Sequence, residues 1–289
     1  MKIVVTTPTG NIGSKIVKNL VRAGVRPTVI VRDPAKISAA YHPFIDIVEG
    51  DLLDGKSVLT ATKGADALFW LSPPQYGEAN PVGHYRKLGQ VAVEAIQNEG
   101  IARVVHLSSV GAEHLSGIGL ISGLGHNEVA LNTTSAAVRH LRPGFFFENF
   151  LMQLDALKNG QYYVNLPLNH PTAFVATTDI AAHATEWLLQ ADWTGKSVRF
   201  VTGQKPLTTR EAIAAVSAGL GREITPVEIP DAAVREVLIS QGGHPDFADG
   251  YVEMMSGLRS LPIELEYSPA TYAPTTLAEW AFSHLRPLL

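Results

Sequence analysis

Hydrophobic positions along the first half of this chain follow two alternating periods. Short runs of β-branched and aromatic residues, bounded by glycine or proline, read as strands at residues 2–6, 28–31, 46–50, 67–71, 103–107 and 137–141. Between them apolar residues recur every three to four positions. Residues 14–23 place Ile16, Val17, Leu20 and Val21 on one face and stop at Gly24. Residues 57–62, 81–99 and 127–134 read as further helices, the longest with Leu88, Val91, Ala92, Ala95 and Ile96 on one side. The run 67–71 is apolar throughout, as suits a parallel strand covered on both faces. Repeated βα units of this length predict an α/β fold: a Rossmann-type, doubly wound parallel sheet with right-handed crossovers.

The second half is less regular. Residues 145–160 begin apolar and helical, 174–176 and 197–202 read as strands, and Asp179 is placed to cap a helix over 180–190. Thr208 with Glu211, and Thr276 with Glu279, have the spacing of capping boxes, the first before a helix over 212–220 and the second before a C-terminal helix. The expected division is a nucleotide-binding domain at 1–150 and a small, mostly helical substrate lobe at 151–289. Segments near 174–202 of that lobe return to the core sheet.

In open parallel sheets ligands gather outside the carboxyl ends of the strands. The first such end is Thr7-Pro8-Thr9-Gly10-Asn11-Ile12-Gly13, a turn between a strand and a helix. Gly10 and Gly13 let backbone approach a pyrophosphate, and the helix N-terminus beyond them offers N–H groups and positive dipole. Thr7 stands where such turns carry their first glycine, and threonine lacks glycine's freedom at positive φ. Arg32 ends the second strand, where a guanidinium pairs a 2′-phosphate and an acid would take a 2′-hydroxyl. The expected cofactor is therefore NADP(H), with NAD(H) as the alternative because Asp33 stands beside Arg32. Further strand ends on the same edge are Asp51-Leu52, Leu71-Ser72-Pro73-Pro74, Ser108-Ser109 and Arg142-Pro143-Gly144.

Composition narrows the remaining classes. The 289 residues are 46% hydrophobic and 17% charged, with a formal net charge of −4. That balance fits a compact globule and argues against a nucleic-acid partner. The absence of cysteine removes disulfides and thiol chemistry and fits a reducing compartment. No His, Asp and Glu spacing reads as a metal site, and no run of 18 apolar residues is present to cross a membrane. The chain opens on a core strand, so a cytoplasmic protein is expected, as a monomer or homodimer.

Several segments together resemble the NmrA-like family of atypical short-chain dehydrogenases/reductases. They are Thr9-Gly10-Asn11-Ile12-Gly13, Val31-Arg32-Asp33-Pro34, Gly50-Asp51-Leu52, Leu107-Ser108-Ser109-Val110-Gly111 and the stretch from Leu141 to Asn149, followed by Asp179-Ile180-Ala181. The resemblance spans nearly the whole chain and is nearest to quinone oxidoreductases and azoreductases. It implies that Thr7, Gly10, Asn11, Ile12 and Gly13 hold the pyrophosphate, Arg32 the 2′-phosphate, and Asp51 with Leu52 the adenine. Leu71, Ser72 and Pro73 would follow the ribose and nicotinamide, with Pro143, Gly144 and Phe145 near the carboxamide. Phe146, Phe147 and Asn149 would line the substrate side.

The chain departs from the wider superfamily at one place. Where Tyr-x-x-x-Lys supplies a proton in ordinary members, this chain reads Gly119-Leu120-Ile121-Ser122-Gly123-Leu124-Gly125-His126-Asn127-Glu128, with Leu124 at the lysine position. Three readings remain. The protein reduces a small, flat, aromatic or quinone-like acceptor that needs little acid assistance; it binds NADP(H) as a redox sensor; or it is a reductase of secondary metabolism. Candidate proton donors are Ser109, at the strand end of the superfamily's serine, and His126. His114 and Glu113 are weaker candidates, and Glu128 reads as a first-turn acid complementing a helix dipole. Tyr85 and Tyr76 follow the Pro-Pro turn and either reach the cleft or pack. The run Phe145-Phe146-Phe147 is either core or a wall for flat apolar acceptors.

Overall fold

The computed structural model describes residues 1–268 and 272–289. The chain runs β1 (Ile3–Val5), α1 (Gly13–Arg22), β2 (Thr28–Val31), β3 (Asp46–Glu49), α2 (Gly55–Thr62), β4 (Ala67–Leu71) and α3 (Pro81–Glu99). It continues through β5 (Arg103–Leu107), α4 (Leu120–Asn132), β6 (Ala137–Pro143) and β7 (Phe145–Phe146). A 3-10 segment Phe147–Gln153 leads to α5 (Leu154–Lys158), β8 (Gln161–Val164), β9 (Pro171–Thr172), β10 (Phe174–Val175) and α6 (Thr177–Leu189). The last elements are β11 (Lys196–Val201), β12 (Leu207–Thr208), α7 (Thr209–Leu220), β13 (Thr225–Glu228), α8 (Asp231–Ser240), α9 (Pro245–Ser260) and α10 (Leu277–Trp280).

Seven strands form one parallel sheet in the order β11-β6-β5-β4-β1-β2-β3. The chain winds outward from β1 in one direction and then, from β4, in the other. The switch point between β1 and β4 opens a crevice at their carboxyl ends. Thr6 ties its two sides together: its hydroxyl donates to the Phe69 carbonyl at 3.1 Å and accepts from the Leu71 N–H at 3.0 Å.

Strand alternation sorts side chains into two cores. Ile3, Val5 and Phe69 face α1 and α6, whereas Val4, Leu68 and Trp70 face α2, α3 and α4. All six are fully buried. At about 1.5–3 kcal/mol for each large apolar side chain, this two-sided burial holds the crevice rigidly open. A third core belongs to the C-terminal lobe, where Phe147, Phe150, Tyr162, Ile213, Val216 and Trp280 pack together. Lobe and sheet are interleaved, since α6 packs on α1 and β11 pairs with β6.

The structure corrects several local expectations. Helix α4 starts at Leu120, seven residues before the expected 127. Gly123 and Gly125 in its first turns weaken helical propensity, and close packing against α3 overrides it. The predicted helix from 145 instead opens as β7, which pairs with β10, and then winds as a 3-10 segment. Asp179 does not cap α6. That helix begins at Thr177, whose N–H donates to Glu148 at 3.1 Å, a cap supplied from 29 residues upstream. The Asp179 carboxylate accepts instead from the N–H and hydroxyl of Thr275, at 3.1 and 2.9 Å. Both capping boxes, Thr208 with Glu211 and Thr276 with Glu279, form as predicted.

Candidate functional site

The β1–α1 turn is built as the glycine spacing requires. Thr7 has φ +50°, the left-handed conformation that glycine adopts freely and threonine rarely does. Gly10 N–H donates back to the Thr7 carbonyl at 3.0 Å, closing the turn. Gly13 meets that turn so closely that a Cβ would stand 2.8 Å from the Thr7 carbonyl carbon. Helix α1 therefore starts directly against the strand end. Its first turn has no side-chain cap and no acidic residue, so its dipole is left uncompensated.

From this turn a cavity of about 1530 Å³ runs into the C-terminal lobe. Thr7, Gly10, Asn11 and Ile12 line its first end, followed by Leu71, Ser72 and Pro73 from β4 and Ser108 and Ser109 from β5. Pro143, Gly144, Phe145, Phe146 and Asn149 line the opposite wall, and Tyr85, Leu120 and Leu124 the roof. One space thus collects residues from four strand ends, from α3 and α4, and from α5, α7, α8 and α9 of the lobe. Leu120 and Leu124, one helical turn apart, give the roof methyl groups.

Polar atoms in this space are arranged with free valences. The Thr7 hydroxyl and the Ser108 hydroxyl are buried and make no hydrogen bond. An unpaired buried hydroxyl costs about 1–3 kcal/mol, which a ligand bringing polar atoms relieves. The Ser72 oxygen accepts from Trp70 Nε1 and from Asn127 Nδ2, both at 3.2 Å, leaving its own proton to donate elsewhere. Ser109 spends its hydroxyl on the Val110 carbonyl at 3.0 Å. Among the described residues nothing takes up the Tyr85 hydroxyl. Burial, aided by Tyr76, pushes the Tyr85 phenol up from its ordinary value, so it stays protonated.

Arg32, Asp51 and Leu52 lie outside this cavity, just past the carboxyl ends of β2 and β3. The Arg32 side chain is 81% exposed, with its Nε 4.0 Å from an Asp51 oxygen. Asp33 is engaged: it accepts from the Ala35 N–H at 3.0 Å and caps a short 3-10 turn.

Five residues singled out in the sequence face elsewhere. His126 sits within α4 rather than at its start and does not line the cavity. It lies against Arg86, with Nε2 2.8 Å from a guanidinium nitrogen, and burial together with Arg86 lowers its pKa. Phe147 is buried in the lobe core against Trp280, with ring centroids 5.8 Å apart, so only Phe145 and Phe146 wall the cavity. Glu128 is no first-turn acid: it takes a two-pronged ion pair from Arg142, at 2.9 and 2.7 Å. Glu113 and His114 are structural. Glu113 binds Arg142 and the Glu264 N–H, and His114 contacts the Pro262 carbonyl at 2.8 Å, which fastens residues 262–264 as a strap to the loop after β5. Sequence reasoning missed Asn127 as the partner of Ser72, and Glu148, which sits 3.8 Å from Lys15 and orders α1 against α6. Neither contact has a local sequence signal.

Fold and crevice together define an NAD(P)H-binding Rossmann domain. Residues 8–141 match the family described as NAD(P)H-binding. The chain is 27% identical over 254 residues to the NAD(P)H azoreductase of Xenophilus azovorans, covering 87% of this chain and 85% of that protein. It is 23% identical over 256 residues to quinone oxidoreductase 2 of Escherichia coli, covering 88% and 85%. The Citrobacter triphenylmethane reductase complexed with NADP(H) shares the fold, with a TM-score of 0.80, 20% identity and coverage of 97% and 98%.

Proposed function

We propose that this protein is an NADPH-dependent oxidoreductase of the NmrA-like type that reduces flat, apolar acceptors, quinones foremost. The observation that carries this reading is the continuity of one cavity. The β1–α1 turn that presents backbone to a pyrophosphate opens directly into a chamber walled by Phe145, Phe146 and Tyr85. The azoreductase and quinone oxidoreductase relatives support the same class.

The residues present fit the cofactor. Thr7 and the turn from Gly10 to Gly13 would receive the pyrophosphate, and the unpaired hydroxyls of Thr7 and Ser108 would find polar partners. Arg32 is exposed and free to grip a 2′-phosphate. Asp33, already used as a cap, does not compete for the ribose, which favours NADPH over NADH. When bound, the nicotinamide supplies a hydride.

The chain's own contribution is positioning and one hydrogen bond. Phe145 and Phe146 hold a planar acceptor by its faces, and the apolar roof excludes water. Tyr85 donates to the oxygen or nitrogen on which negative charge develops, replacing the absent Tyr-x-x-x-Lys relay. The one proton taken up besides the hydride comes through Tyr85 from solvent. The test is NADPH oxidation with a panel of quinones, azo dyes and simple carbonyls. Turnover with quinones and azo dyes above simple carbonyls supports the reading. Tight NADPH binding without turnover of any acceptor overturns it in favour of a redox sensor.

A further inference from the structure

The cavity extends beyond the chamber proposed for the ring. Its roughly 1530 Å³ is shared: the end lined by Thr7, Gly10, Asn11 and Ile12 is the room the proposed cofactor takes, and the lining continues from there through the C-terminal lobe. That continuation lies beyond Tyr85, between α8, α9 and β8, where Tyr162, Val234, Leu238, Met255 and Leu258 form the walls.

Among the described residues, the Arg, Lys and Asp side chains that line this inner half are each already paired. Arg259 gives its guanidinium to Asp231, at 3.0 and 2.6 Å, and to the Asn165 carbonyl. Lys158 and Asp155, at the rim, stand 4.0 Å from each other. A carboxylate, phosphate or sugar would be desolvated here with nothing to pair it. The apolar lining also reaches the surface. Tyr76, Met152, Tyr163 and Val237 belong to the cavity wall and are nevertheless 37–62% exposed. Apolar groups kept at an opening, and not sealed inside, match a ligand whose apolar part is longer than the chamber.

We infer that the site takes a redox ring bearing a long apolar chain, an alkyl- or isoprenyl-substituted quinone. Its ring lies under Tyr85 and its chain runs between α8 and α9 toward the opening. The assignment rests on quinone reduction as proposed above and specifies which quinones. The ring gains a hydride from NADPH and a proton, leaving NADP+ and the quinol, and the chain is chemically unchanged.

The test uses one benzoquinone ring carrying unbranched chains from none to decyl, each below its aggregation limit. Binding to the NADP+-loaded protein is read by tryptophan fluorescence, and turnover by NADPH oxidation. Each methylene buried should tighten binding by up to about fourfold, lowering KM with little change in kcat. Val234→Trp and Leu238→Trp, each checked for an unchanged melting transition, should both shrink the ratio of decyl to unsubstituted affinity. Affinity that is flat or falling along the series in the wild-type protein overturns the inference. Chain-dependent binding without NADPH oxidation overturns the reductase reading and leaves the chain site standing, so the two failures are distinct.

Discussion

Tyr85 packs across Gly123 so closely that a Cβ at position 123 would stand 2.7 Å from both the Cβ and the Cδ2 of the tyrosine. Helix α3 thereby delivers a phenol to the roof of the cavity, beside the two leucines of α4. Tyr85→Phe keeps this packing and removes only the hydroxyl. It should lower kcat with quinones by about a hundredfold, the lower end for general acid catalysis, with KM changed little. A variant retaining full kcat would remove Tyr85 from the chemistry. Because burial raises the phenol's pKa, the donor stays protonated through neutral and mildly alkaline pH. The pH–rate profile should therefore show no Tyr85-dependent fall below about pH 10.

Among the described residues Arg32 comes no nearer a partner than the 4.0 Å approach to Asp51, so its removal should leave stability unchanged. A charge-assisted hydrogen bond to a phosphate is worth roughly 1.5–3 kcal/mol. Arg32→Ala should raise KM for NADPH about ten- to a hundredfold and leave KM for NADH within about twofold. Equal effects on both cofactors would show that the guanidinium does not read the 2′-phosphate.

Arg142 is the structural anchor of the site's far wall. Its buried guanidinium satisfies Glu128 and Glu113, and Glu113 in turn holds the strap at Glu264. Arg142→Met strands two carboxylates and should cost about 3–5 kcal/mol in urea unfolding. Hydrogen exchange at residues 262–264 should accelerate with it. A loss below about 1 kcal/mol would mean the cluster is solvated and not buried.

His106 and His140 lie side by side on β5 and β6, Nδ1 to Nδ1 at 3.0 Å, with His140 Nε2 against Asn132 Oδ1. Burial lowers both. His140 falls to about 4, with Glu128 opposing the shift and Arg142 and Lys196 adding to it, and His106 lies well below its ordinary value. Both are neutral when folded and charge near 6.5 when unfolded. Their stability contribution is therefore complete above pH 6.5 and lost as the pH falls toward 4. His140 alone accounts for something on the order of 3 kcal/mol. His140→Gln should flatten the stability–pH curve in that window.

How much of this was legible in sequence depends on how local the cause is. The unit from β1 to Arg32 could be read directly, because period, glycine spacing and strand ends all act within about 30 residues. The capping boxes were legible for the same reason. The start of α4 was hidden: its glycines read as loop, and only contact with Tyr85 and α3 makes them helical. Phe145, Phe146 and Phe147 look alike in sequence. They part company because the chain leaves β7 and turns, which points the third ring at Trp280. Of the two candidate donors, Ser109 gives its hydroxyl to the Val110 carbonyl, and the register of α4 turns His126 outward to Arg86. Tyr85 was legible only as a residue that either reaches the cleft or packs.

The most direct test of the account is anaerobic mixing of the protein with NADPH and a simple quinone, counting nicotinamide oxidised against quinol formed. The account predicts one quinol for each NADPH consumed, with the rate falling about a hundredfold in Tyr85→Phe. Bound NADPH that persists unoxidised with quinones and azo dyes alike would contradict it and leave a cofactor-binding sensor.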